Sequence, residues 1–393
     1  MIRRLIALCS TLTTLALAGG LAGPAAQAAP LAPLAAPGAP IRAIPEHPET
    51  TLEIDGKNYH IAPEHSAWSC SQGPSGTVTL ADGTRMPIMI TAGHCVTDTE
   101  GEGSVLPEIL VNTRASGFQV LGTRDRVGDV RVAADDAPIP VQINDTLNSP
   151  DWGIVRLAPG VTATRLATSR DEWGGNASAP VTLTGIRDYR TLGAFDVAVD
   201  NAGQPICKDG SRTARSCGVQ LFRTKEGVWS WGLTYKQGDS GGINYDPRTG
   251  EVIGLTSMGM GPLGRTQPAD AALEQAYGIP DGQVNERFQL TESTAAPAEF
   301  KTIQDEQNDL QAELEAQGLN RPAMPDFRAE LGKAIASTNS DLAASAAQLQ
   351  SAAASGNVDA AIDAGSRAID VTAGHAQDLI ALGVLNALND LDL

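Results

Sequence analysis

The chain has 393 residues, enough for two folded units. Its formal net charge of -18 makes a surface that repels nucleic acid and anionic lipid, so neither is expected as a partner.

The N-terminus reads as an export signal. Arg3 and Arg4 form a charged start, Leu5 to Ala18 a short apolar stretch, and Ala26-Gln27-Ala28 a small-residue cleavage site. Ser10, Thr11, Thr13 and Thr14 interrupt the stretch, which ends in Gly19-Gly20, short of the roughly 20 apolar residues that span a bilayer. No later stretch is apolar enough either, so no membrane span is expected. Cys9 does not suit a lipid anchor, because Leu8 before it is bulky and the position is too early. Removal of residues 1–28 leaves Cys70, Cys95, Cys207 and Cys217, an even set suited to an oxidising exterior. A secreted, extracellular protein is therefore expected. By counting alone, all three pairings remain open.

Residues 29–54 are rich in Ala and Pro up to about residue 50, a composition read as a linker or short pro-segment. Residues 55–290 change texture. Short Val/Ile/Leu/Thr runs such as Gly76 to Leu80, Gly128 to Val132 and Val252 to Leu255 alternate with Gly, Asp, Asn and Pro. That rhythm predicts an all-β sandwich or barrel, closed by a helix at Ala269 to Gly278 and a strand-like tail at Val284 to Leu290. Residues 291–298 form a second linker. From 299 to 393 the period becomes helical, with Phe327, Leu331, Ile335, Leu342 and Leu349 on one face. Further stripes lie at Leu310/Leu314 and Val358/Ile362/Ile369. This predicts a small three-helix unit, strongly acidic with 15 acidic and 5 basic residues. Those helices offer a surface for an intramolecular or partner contact, and no site is visible in them.

Three separated segments carry chemistry. Gln237-Gly238-Asp239-Ser240-Gly241-Gly242 surrounds a serine with glycines that leave room for a substrate; Thr91-Ala92-Gly93-His94-Cys95 holds a histidine. Asp151 opens the run Asp151-Trp152-Gly153-Ile154-Val155-Arg156-Leu157. A serine hydroxyl attacks only when a positioned base takes its proton; His94 would be that base and Asp151 would fix its tautomer. Asp145 also satisfies the spacing, and Asp151 is preferred because an apolar strand follows it directly. The N–H groups of Gly238 and Ser240 would stabilise the oxyanion, each such donor typically being worth about 3 kcal/mol. No metal or other cofactor is called for.

The order His, Asp, Ser, together with the TAGHC and GDSGG strings, resembles the secreted bacterial chymotrypsin-fold (trypsin-like, streptogrisin-like) serine proteases over roughly residues 55–265. The resemblance implies a double β-barrel and a serine endopeptidase acting on protein or peptide substrates. It favours the pairings Cys70–Cys95 and Cys207–Cys217, each also closing a local loop. It places Thr234 at the base of the substrate pocket and Ser257-Met258-Gly259 on the strand that pairs with the substrate backbone. Neither segment offers an acid or a histidine, so neutral small or apolar side chains are expected before the cleaved bond. The resemblance also implies that Asp239 pairs with Lys208. It departs from the family at Tyr235 and Lys236, where members often carry a bridging cysteine.

Two rivals remain. The serine string also satisfies G-x-S-x-G, which would need His375 with Asp363 or Asp370 downstream, but strand–helix alternation is missing around Ser240. Thr372-Ala373-Gly374-His375 repeats the TAGH string without its cysteine, in Ala-rich helical sequence. The alternative function is a decayed protease-like domain acting with the helices as an extracellular binding module.

Overall fold

The computed structural model describes residues 31–319 except 55, 98–103, 132–137, 139–143, 146–147 and 176–178, with isolated positions at 344, 347 and 351. Residues 1–28, expected as a signal, and most of the segment 299–393, expected as helices, lie outside the described residues. The chain divides into Met1–Leu314 and Glu315–Leu393.

The strands run in chain order as β1 (Pro40–Pro45), β2 (Thr51–Ile54), β3 (Lys57–His60), β4 (Trp68–Ser71), β5 (Ser75–Thr79), β6 (Arg85–Thr91), β7 (Val105–Thr113), β8 (Gly117–Val127) and β9 (Gly153–Leu157). After them come β10 (Leu166–Ala167), β11 (Val181–Thr182), β12 (Gly185–Ile186), β13 (Pro205–Gly210), β14 (Ala214–Thr224), β15 (Gly227–Trp231), β16 (Ile243–Tyr245), β17 (Glu251–Met260), β18 (Leu263–Pro268) and β19 (Phe288–Leu290). The helices are α1 (Ala269–Tyr277), α2 (Val284–Arg287) and α3 (Ile303–Ala316).

The first sheet has the order β19-β5-β6-β9-β8-β7-β1-β4. β4 and β5 are the halves of one bent strand. Gly73 N–H donates to the Ile90 carbonyl (3.0 Å) and Ile90 N–H to the Pro74 carbonyl (3.0 Å), so the bend closes the sheet into a barrel. A side chain at Gly73 would overlap Leu255 and the Ile90 carbonyl, which explains a glycine there. The second sheet has the order β12-β17-β16-β13-β14-β15-β18, and β17 also pairs with β18. That last pairing closes a six-stranded antiparallel barrel.

Ile88–Ile90 of β6 and Ile154–Val155 of β9 are apolar at successive positions because both faces are buried there. Met89 and Val155 point into the first barrel with Ile41, Ile109, Val111 and Leu121. Ile88, Ile90 and Ile154 point the other way and pack with Tyr245, Leu255 and Leu273. The two-residue period of a strand thus divides one segment between two cores, and this shared core joins the barrels.

The segment 29–54, expected as a linker, is instead structural from its first described residues. β1 pairs with β4 and β7, and Ala35, Ala36, Ala39, Ile41 and Ala43 are buried. Alanine fills the space where strands approach closely, so a composition that looks too weak for a core still supplies one. The boundary expected at 298/299 also shifts. Arg42 is buried and grips the α3 residue Glu306 through Nε (3.0 Å) and Nη2 (2.7 Å), while Asn112 Nδ2 donates to Glu306 Oε1 (3.0 Å). The N-terminal part of α3 therefore belongs with the first barrel.

Candidate active site

β6 and β9 are antiparallel neighbours with Thr91 opposite Gly153. The chain leaves β6 and enters β9 at the same end, so His94 and Asp151, just beyond those residues, must meet. A 3-10 turn at Gly93–Cys95 turns the histidine back toward β9, and a disulfide from Cys95 to Cys70 in β4 ties that turn down. A side chain at Gly93 would stand 2.5 Å from Val130 and 3.0 Å from the Trp152 carbonyl.

Asp151 is only 4% exposed. Its carboxylate accepts from His94 Nδ1 (2.9 Å), the His94 backbone N–H (3.0 Å) and the Ser257 hydroxyl (2.6 Å). Burial alone would raise its pKa, but the His94 charge and these three donors outweigh that and hold it well below the usual carboxylate range. An ionised carboxylate can only accept, so Nδ1 carries the proton and Nε2 is left as the basic nitrogen.

Behind Asp151 lies a buried polar layer that motif reading missed. Gln267 Oε1 accepts the Asp151 N–H (2.8 Å). Arg265 donates to the Ser149 carbonyl, to the Glu226 carbonyl (2.9 Å) and to Ser257 Oγ (3.5 Å). Ser257 was expected only as part of the substrate-pairing strand, yet its hydroxyl faces Asp151. The only signal for this was its place on a strand running behind the acid.

Ser240 comes from the second barrel. Its carbonyl accepts the Ser71 N–H (2.7 Å), one residue from Cys70, and Gly241 N–H donates to the Thr256 carbonyl (2.7 Å). A side chain on Gly241, at φ +78°, would overlap Thr91 Oγ1 and lie 3.1 Å from Ala92 N. The serine loop is thus pressed against the segment that leads into His94. Gly238 has φ +99°, a region natural to glycine. Among the described residues neither the Gly238 N–H nor the Ser240 N–H donates to a protein group.

Asp239 points away from the cleft into a sealed cradle. Its Oδ2 lies 2.9 Å from Lys208 Nζ, with both side chains fully buried. Arg212 N–H and Thr213 N–H donate to Oδ1 (3.0 Å each), while the Thr213 hydroxyl (2.6 Å) and Lys236 N–H (3.0 Å) donate to Oδ2. Burial lowers the Lys208 pKa, partly offset by the Asp239 charge.

Thr234 is exposed, with its N–H held by Ser216 Oγ (3.0 Å). Met258 is half-buried and Gly259 exposed at the open end of β17. Cys207 and Cys217 face each other across β13 and β14 and form the second disulfide. The Asp145 carbonyl accepts the Ser149 N–H (3.0 Å) and its carboxylate accepts from Asn144 Nδ2 (3.1 Å). His375, Asp363 and Asp370 fall outside the described residues.

Among the described residues, two clusters have the composition of a metal site. In the group Cys70, His94 and Cys95 the sulfurs are spent on each other in the disulfide. In the group Asp188, Glu274 and Asp281, Asp188 accepts from the Gly282 and Val284 N–H groups (3.2 and 2.9 Å) and Asp281 from the Thr191 N–H (3.3 Å). Both acids therefore have structural employment.

Nearby Asp270, at the start of α1, is buried, and its pKa is pushed up to about 8, first by burial and further by Glu274 and Asp188, against the N–H donors of Tyr189 and Ala271. The folded protein holds this proton where the unfolded chain has lost it, so stability falls as pH rises from about 4 to about 8. With about four pH units between the two pKa values, the accumulated cost by pH 9 is on the order of 6 kcal/mol. Asp270→Asn is expected to flatten the drop in thermal midpoint between pH 5.5 and pH 9; an unchanged drop in scanning calorimetry refutes it.

Two closed antiparallel barrels thus carry a histidine and an acid on the first, a serine loop on the second, and a shared core between them. The architecture is the chymotrypsin-like double β-barrel expected from the sequence. No protein-family profile matches the chain, and no curated protein sequence matches it. Among solved structures it is similar to a Cellulomonas bogoriensis chymotrypsin, with 18% identity over 66% of this chain and 99% of that one and a TM-score of 0.33. It is also similar to the Vibrio cholerae VesB protease, with 11% identity over 61% of this chain and 62% of that one and a TM-score of 0.26. No helix among the described residues is long and apolar enough to cross a membrane.

Proposed function

We propose that this protein is a secreted serine endopeptidase in which Ser240, His94 and Asp151 form the catalytic triad. The observation that supports it most is the buried Asp151 carboxylate bonded to His94 Nδ1 (2.9 Å), with the Ser240 loop pressed against the same segment. In this reading the Ser240 hydroxyl attacks the scissile carbonyl carbon while His94 Nε2 takes its proton. The negative charge moves onto the carbonyl oxygen, where the Gly238 and Ser240 N–H groups receive it. His94 then passes the proton to the leaving amine as the C–N bond breaks. Water, deprotonated by the same imidazole, releases the acyl group from Ser240. The Lys208–Asp239 pair holds the oxyanion loop in shape, and the two disulfides suit an oxidising exterior.

The test is covalent labelling with a fluorophosphonate probe. The processed, folded protein is expected to label at Ser240, and Ser240→Ala or His94→Ala to lose the label. Absence of label on well-folded wild-type protein overturns the proposal and favours a binding module.

A further inference from the structure

The ring of Tyr235 occupies a slot beside the candidate triad. Gly259 on β17 and Gly264 on β18 are directly opposed across the ladder, and the tyrosine lies over that pair. A methyl group at Gly259 would stand 2.5 Å from the Tyr235 Cβ and Cγ; one at Gly264 would overlap Oη and Cζ. The ring therefore spans the full width between the two strands, root over Gly259 and hydroxyl over Gly264. Beneath it lies the apolar floor of Ile206, Val228, Leu233 and Ile253. The hydroxyl is 3.4 Å from Ser230 Oγ, and Lys208 Nζ stands 5.8 Å from the ring centroid. Burial pushes the phenol pKa up to about 12, so it stays neutral across the physiological range.

The slot's position follows from its walls. Tyr235 is five residues before Ser240, and Gly259 is two residues after Ser257, whose hydroxyl bonds Asp151 (2.6 Å). β17 runs past the triad with its open end at Met258 and Gly259. A peptide laid along that edge, as the endopeptidase reading requires, directs the side chain before the scissile bond at this slot. Side chains alternate along an extended peptide, so that residue faces the glycine pair while its neighbours face away.

We infer that Tyr235 is an internal filling of the substrate pocket and restricts cleavage to peptides with Gly or Ala before the scissile bond. The inference rests on the endopeptidase reading and narrows its substrate class. A leucine or phenylalanine at that position collides with the ring, and moving the ring out exposes its apolar face and uncovers the floor beneath. The two glycines fit this reading from the other direction: a pair of side-chain-free strands makes a wide slot, and the width is taken up by the protein's own aromatic.

The experiment compares peptide anilides that differ only in Gly, Ala, Leu or Phe before the cleaved bond, with wild type, Tyr235→Phe and Tyr235→Gly. Wild type is expected to prefer Ala over Phe by about 100-fold in kcat/KM. Tyr235→Phe keeps that ratio, because the ring still fills the slot. Tyr235→Gly reverses it, with the gain for Phe mainly in KM. A residue with only a structural role would lower all four substrates together and leave the ratio alone. Fluorophosphonate labelling of Ser240 runs in parallel. Loss of label in wild type sinks the endopeptidase reading; intact label with an unaltered Phe-to-Ala ratio in Tyr235→Gly sinks only the pocket inference. Should Tyr235→Gly fail to fold, the wild-type profile decides alone, since equal cleavage after Phe and Ala overturns the inference.

Discussion

Asp151→Asn is expected to reduce kcat by about four orders of magnitude while leaving the fold intact. The amide is nearly the same size; its one oxygen still accepts from the His94 backbone N–H (3.0 Å), and its NH2, in place of Oδ2, donates to the Ser257 oxygen (2.6 Å). What it removes is the charge. A neutral amide does not compel Nδ1 to keep its proton, and it no longer stabilises the imidazolium formed when Ser240 attacks. Arg265 sits in the same buried layer, only 3% exposed, and in the variant its charge faces a neutral group. The thermal midpoint should therefore fall slightly while activity falls greatly. Steady-state hydrolysis beside calorimetry checks both; a variant retaining a tenth of wild-type kcat would remove Asp151 from the mechanism.

Lys208→Met should have the largest effect on stability. Both members of the Lys208–Asp239 pair are fully buried at 2.9 Å. Removing one partner strands the other, which typically costs about 3–5 kcal/mol. In a domain of this size that corresponds to a fall of roughly 10 °C in midpoint. The backbone donors from Arg212, Thr213 and Lys236 remain, so the carboxylate is not wholly abandoned and the lower figure is expected. The double variant Lys208→Met with Asp239→Asn should recover most of the loss, because no buried charge is then left alone. Ser240 labelling should fall in the single variant, since Asp239 leads directly into the nucleophile. A single variant as stable as wild type would show that the cradle, and not the cation, holds Asp239.

Much of this was readable from residues alone, for a physical reason. In the proposed reading a nucleophilic serine needs bare backbone around it and a base needs an acid behind it, which is the kind of local signature that Ser240, His94 and Asp151 carry. The alternation of short apolar runs with turn residues likewise predicted the strands of a sandwich or barrel, and the choice of two barrels came from the family resemblance. β1 was hidden because the buried apolar positions in and just before it, Ile41 apart, are alanines. Close approach of neighbouring strands makes Ala35, Ala36, Ala39 and Ala43 adequate filling, whereas pattern reading looks for large β-branched side chains. The strand expected at Gly128 to Val132 is not one over its described residues 128–131; β8 ends just before them at Val127, and Gly128 N–H turns to the Trp152 carbonyl (2.8 Å). Tyr235 gave no local sign either. Its contacts are glycines on two later strands, and only their juxtaposition shows what the ring does.

The grip of Arg42 on Glu306 (2.7 Å) sets limits on how the chain can be trimmed. A maturation enzyme cutting beyond about residue 40 would extract a stave from the first barrel. One cutting before Glu306 would strip the counter-ion from a sequestered guanidinium. Processing that keeps the first barrel whole must therefore stop short of both.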